Sequence, residues 1–96
     1  MIRVAGNTVE VTGEMNAGSA GGLVEAGRPG AGDWVVDLTG VTHADSAAVA
    51  VLLDWLRASR AAGGRLTFLG VPASLLSLAR LYGVDEFLSL EPAAAS

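Results

Sequence analysis

The sequence predicts an α/β domain: a mixed sheet of at least four strands with helices packed against it. Three observations carry this. Short β-rich runs alternate with helical runs along the chain; the strand–helix–strand order from 33 to 69 is that of a right-handed βαβ unit; and glycines stand where each helix would have to stop. At 96 residues the chain fits a single domain, 1–96, with residues 90–96 expected to be a disordered tail.

The elements follow in order. Ile2–Ala5 and Thr8–Thr12 nearly alternate and are rich in β-branched residues, and Gly6-Asn7 between them is a hairpin signal. Residues 13–32 contain seven glycines. A short helix over Ala17–Ala26 is expected there, weakened because each interior Gly costs ~1 kcal/mol against Ala. Asp33–Leu38 (DWVVDL) reads as a central strand, since Trp34, Val35, Val36 and Leu38 leave little room for a wet face. Thr39–Ala44 is expected to be a turn feeding a helix over Ser46–Ala62, which Gly63-Gly64 ends. Arg65–Leu69 is the next strand. Ala73–Tyr82 is a further helix stopped by Gly83, and Val84–Leu90 is expected to form a last helical turn.

On a wheel at 100° per residue, Val49, Leu52, Leu53 and Leu56 form the expected core stripe of the 46–62 helix. Ala47, Val51, Trp55 and Ala58 flank it as a second apolar stripe. Two roles stand open for this flank: Trp55 wraps the edge of the core, or it anchors a docking surface, as Trp often does in interfaces. In the following helix Leu75, Leu78, Ala79 and Tyr82 share a stripe while Leu76 and Leu81 fall off it. Surplus apolar positions on two helices suit a shared partner surface.

Composition narrows the function. Hydrophobic residues make up 51% and mean hydropathy is +0.48, apolar for a small soluble protein. Ten acids against six bases, all Arg, give a net charge of −4. An acidic chain without a basic cluster is a poor ligand for nucleic acid or anionic lipid, because both demand neutralisation of phosphate. No cysteine is present, so neither disulfides nor thiolate chemistry enter. The N-terminal residues do not read as a signal peptide. The longest apolar run, Ala47–Leu53, is far short of the ~20 residues that span a bilayer. A soluble cytoplasmic protein without direct membrane insertion is expected.

Chemistry is sparse. The single histidine, His43, precedes Asp45 and Ser46, but no G-x-S-x-G elbow is present, and neighbours in one turn do not meet the geometry of nucleophile, base and orienter. One His and no Cys leave only scattered carboxylates for a metal. Gly27–Gly32 lacks the P-loop pattern. No enzyme, metal or cofactor is predicted. Asp45-Ser46 reads first as a helix N-cap worth ~1 kcal/mol. A Ser at a helix head is equally a good site for a phosphate.

The stretch Val35–Leu53, VVDLTGVTHADSAAVAVLL, resembles the core signature of STAS domains, the fold of bacterial anti-sigma factor antagonists. That signature is a strand ending in D-L-[ST], a turn, then D-[ST]-x-G and an apolar helix. Asp37, Leu38, Thr39, Asp45 and Ser46 match it; Ala48 stands where the family usually has Gly. The segment Leu78–Val84, LARLYGV, resembles the MlaB branch, a STAS subunit of the Mla ABC transporter that moves phospholipids between bacterial membranes and maintains outer-membrane lipid asymmetry. The resemblance implies the STAS fold, a mixed four- to five-stranded sheet with helices packed mainly on one face, and a non-catalytic subunit peripheral to the inner membrane through an ABC transporter ATPase. It makes Ser46 a phosphorylatable or partner-contact position supported by Asp37, Thr39 and Asp45. The partner-binding set is then Thr42, His43, Ala47, Val51, Trp55 and Tyr82. The other branch implies an anti-sigma factor antagonist, with an anti-sigma factor kinase as partner and Ser46 as phosphate acceptor.

Overall fold

The computed structural model describes residues 2–27, 29–86, 88 and 90–92. Its strands and helices alternate after an initial hairpin: β1 (Ile2–Ala5), β2 (Thr8–Met15), α1 (Ala17–Gly27), β3 (Asp33–Ala44), α2 (Ser46–Ala61), β4 (Arg65–Val71), α3 (Ala73–Leu81) and β5 (Leu90–Pro92). The sheet follows chain order, β1-β2-β3-β4-β5, with β1 antiparallel to β2 and every later pair parallel. It is the mixed sheet expected, at the upper end of the strand count.

Parallel neighbours need crossovers, and each one here is a helix. Because the strand order never reverses, right-handed crossovers set all three helices on one face, where α1 packs on α2 and α2 on α3. The core lies between: Val9, Val11 and Met15 from β2, Val36 and Leu38 from β3, Leu66, Phe68 and Val71 from β4 face Leu23, Ala48, Leu52, Trp55 and Leu75. Alternation sends Thr8, Glu10, Val35, Asp37, Thr67 and Leu69 to the opposite face, which no helix of the described residues covers and where all six are half-buried. β3 therefore does have a wet face, contrary to the sequence expectation.

The chain ends its helices as the glycines predict. Gly63 at φ +74 and Gly83 at φ +70 take the left-handed conformation, and the following amides reach back, Gly64 to the carbonyl of Ser59 and Val84 to that of Ala79. Elsewhere the structure corrects the sequence reading. Thr39–Ala44 is no turn: β3 runs on to Ala44, paired with a β2 that extends to Met15. Val84–Glu86 forms no helix, Asp85-Glu86 being a turn, while residues 87 and 89 lie outside the described residues. The expected tail from residue 90 begins instead as a strand, since Leu90–Pro92 pairs with β4 through Phe68↔Leu90 and Val71↔Pro92; residues 93–96 lie outside the described residues.

The helix α1 is complete despite its glycines. Asn16 caps it, its Oδ1 accepting from the amide of Ser19 at 3.1 Å while Ser19 Oγ accepts from the amide of Asn16 at 3.0 Å, a reciprocal capping box. Leu23 is buried and Ala20 and Val24 pack on the core, so tertiary contact outweighs poor intrinsic propensity.

Candidate functional site

In a sheet of parallel strands all crossover helices start at one edge. Here that rim carries Asn16, Asp45 and Pro72, the residues that begin α1, α2 and α3. The end of β3 delivers Thr42 and His43 to it, both exposed, and Ala44 turns inward. Asp45 then joins the two strand ends, its amide donating to the carbonyl of Met15 at 3.1 Å. The Asp45 side chain is the cap: Oδ1 accepts from the amide of Ala47 at 2.8 Å, with Asp45 in extended backbone geometry. Ser46 is the first helical residue and is exposed. Capping and display are thus divided between the two neighbours.

The remaining motif residues sit upstream. Asp37 Oδ1 accepts from both the amide and the hydroxyl of Thr39, at 2.9 and 2.6 Å. Two register shifts in the β2–β3 ladder, one between Glu10 and Thr12 and one between Gly13 and Glu14, bulge β3 and bring Glu14 level with His43. Glu14 Oε2 accepts from Asn16 Nδ2 at 2.8 Å. Glu14 and Asn16 thus belong to the rim, although the sequence reading ended β2 before them. Their signal was the capping pattern Asn16–Ser19.

Of the residues expected to meet a partner, Thr42, His43 and Ser46 gather at the rim, with Ala47 half-buried beside them. Trp55 and Val51 do not join them. Trp55 has no exposed surface and Val51 only 1%, because α1 lies over this side of α2. The indole Nε1 donates to the carbonyl of Val24 at 3.4 Å. The docking stripe through Val51 and Trp55 is therefore core, while Leu53 and Leu56, expected in the core, are half-buried. Tyr82 is exposed, but at the far end of α3, whose nine residues set it about 13 Å from the helix start. Beside it Leu81 is 76% exposed, the most exposed of the large apolar residues described. Its off-stripe position was the signal for it.

Ala48 bears on the departure from the family pattern. It is fully buried, so its methyl packs into the core and does not face a partner. A shallow groove of about 430 Å³ runs between α1 and α2, floored by Ala20, Val24, Ala50 and Val51.

Chemically the rim offers two hydroxyls, an imidazole and carboxylates. Among the described residues no hydrogen bond joins Ser46 to His43, and no three His, Asp or Glu side chains are placed to hold a metal ion. No helix of the described residues is long and apolar enough to cross a membrane.

Comparison with known proteins agrees with this architecture. The family model described as "Mlab, STAS domain" matches residues 2–91. No curated protein matches the chain. Among solved structures, an anti-sigma factor antagonist from Mycobacterium paratuberculosis is similar with a TM-score of 0.72 at 20% identity, covering 96% of this chain and 83% of that one. The anti-sigma factor antagonist SpoIIAA in its unphosphorylated form gives 0.66 at 14% identity, over 98% and 88%. A sulfate transporter family protein from Wolinella succinogenes gives 0.69 at 18%, over 93% and 80%. At these identities the likeness is one of fold.

Proposed function

Because the chain belongs to the MlaB-type STAS domain family, we propose that it is a non-catalytic cytoplasmic subunit that binds the ATPase of an ABC transporter for intermembrane phospholipid transport and supports its activity. The observation that carries this is the family match itself, which spans both the Ser46 rim and the Leu81-Tyr82 end of α3. Support comes from exposure. Thr42, His43 and Ser46 stand free of the core, and the segment Leu78–Val84 presents the apolar side chains of Leu81 and Tyr82 to solvent. Large exposed apolar side chains are costly to leave bare and suit a partner surface. Co-purification with an Mla-type ATPase tests it. A stable complex that raises ATP turnover is expected; a chain that ignores the ATPase overturns it.

A second reading is favoured by one observation, the division of labour between Asp45 and Ser46. With Asp45 as cap, the Ser46 hydroxyl is exposed at a helix head, where the amides and dipole favour an added phosphate. The anti-sigma factor antagonists of like fold, one of them described in its unphosphorylated form, make a phosphorylation switch the alternative. Incubation with an anti-sigma factor kinase and ATP, followed by mass spectrometry, decides it: an unmodified Ser46 removes this reading.

A further inference from the structure

The half of β3 that carries the rim is weakly held by its ladders. β3 pairs with β4 only over Asp33–Asp37, opposite Arg65–Leu69. Beyond that point the β3–β4 ladder stops: Gly70 is in the left-handed region at φ +64 and Val71 pairs with Pro92 of β5. Beyond Asp37 the register partners of β3 lie in β2 alone, through a ladder that slips twice in a few residues. One-sided and bulged pairing leaves backbone groups short of partners and lowers local stability.

At the branch point stands a compact side-chain arrangement. The Asp37 carboxylate takes both donors of Thr39, its amide at 2.9 Å and its hydroxyl at 2.6 Å, so it satisfies the amide at the first bulge. That orientation turns the Thr39 methyl onto Gly70. A Cβ on Gly70 would overlap Thr39 Cγ2, so the close approach needs a glycine on steric grounds as well as for its φ. On the other side Gly40 lets Thr12 close in, since a Cβ there would lie 2.7 Å from Thr12 Cγ2. Three contacts thus pin the strand where its second ladder stops.

We propose that Asp37, Thr39 and Gly70 form a latch that fixes the register of the second half of β3, and so act as positioning residues for Thr42, His43 and Ser46 at the rim. The latch rests on the docking role proposed above only for its consequence; the latch itself is a property of the free chain. Thr39→Val keeps the shape and removes the hydroxyl donor. Gly70→Ala pushes on the Thr39 methyl.

The test is amide hydrogen exchange on the full-length chain, without partner. In Thr39→Val the amides of Val41–Asp45 are expected to exchange about fivefold faster, as the loss of one hydrogen bond implies, while those of Val9, Val36 and Phe68 keep their rates. Should Gly70→Ala fail to fold, Thr39→Val alone decides. Unchanged exchange over Val41–Asp45, or acceleration equal across the whole sheet, overturns the latch. The ATPase complex is measured in parallel, where Thr39→Val is expected to bind about fivefold more weakly. If the wild-type chain binds no ATPase, the docking role fails while the exchange data still decide the latch.

Discussion

The indole nitrogen of Trp55 on α2 donates to the backbone carbonyl of Val24 on α1, at 3.4 Å. This joins the two helices across a core that leaves Trp55 no exposed surface.

Trp55→Ala is expected to destabilise the fold by about 3–5 kcal/mol, the range for emptying a large aromatic site. Trp55→Phe retains most of the volume and loses the hydrogen bond, so it is expected to cost about 1–2 kcal/mol. Urea unfolding checks both. A Trp55→Ala chain of unchanged stability that binds the ATPase poorly would restore the docking stripe in place of the core.

Leu81 and Tyr82 separate the other way. Each is exposed, so Leu81→Ala and Tyr82→Ala are expected to change stability by no more than about 0.5 kcal/mol. If this end of α3 meets the ATPase, the double variant is expected to bind about tenfold more weakly, by ~1.4 kcal/mol, in a titration. Undiminished affinity would confine the interface to the rim.

Asp45 and Ser46 are expected to diverge in thermal melts. Asp45→Ala removes the cap of α2 and is expected to cost about 1 kcal/mol, whereas Asp45→Asn keeps a capping oxygen and costs a few tenths. Ser46→Ala is expected to stay within about 0.5 kcal/mol. Equal losses from Asp45→Ala and Ser46→Ala would mean that both residues cap.

Ser59 is 1% exposed, and among the described residues its hydroxyl has no hydrogen-bond partner. Burying a hydroxyl without a bond is costly, and Ala is the better helix former. Ser59→Ala is therefore expected to stabilise the chain by about 1 kcal/mol in denaturant titration. A loss of stability would reveal a hydrogen bond formed in solution.

Much of this was legible in sequence, and the failures have physical reasons. The order of strands and helices followed from patterning, and Gly63 and Gly83 stopped α2 and α3 where glycines should. The wheel leaves Trp55 open between the edge of the core and a docking role, because it cannot show what lies over that flank; α1, made a full helix by its capping box and the burial of Leu23, covers it. With α1 in place, the inward side of α2 rotates from Leu53 and Leu56 towards Val51 and Trp55. Thr39–Ala44 looked like a turn because it is polar and contains Gly40, yet Gly40 serves close strand packing. Leu90–Pro92 carried no strand signal of its own, since its pairing is set by the free edge of β4. At the rim, Asp45 and Ser46 could be located from their motif, but only the structure assigns the cap to Asp45 and leaves Ser46 displayed.

The unbroken strand order has a consequence for synthesis. Each later strand docks beside the one made just before it, after an excursion of about 20–30 residues, so no pairing waits for a distant segment. A nascent chain can lay down the hairpin first and add one strand and its helix at a time as they leave the ribosome. The growing edge is exposed only until the next unit arrives, and β5, the last strand of the described residues, ends at Pro92, a residue that cannot donate to a further neighbour.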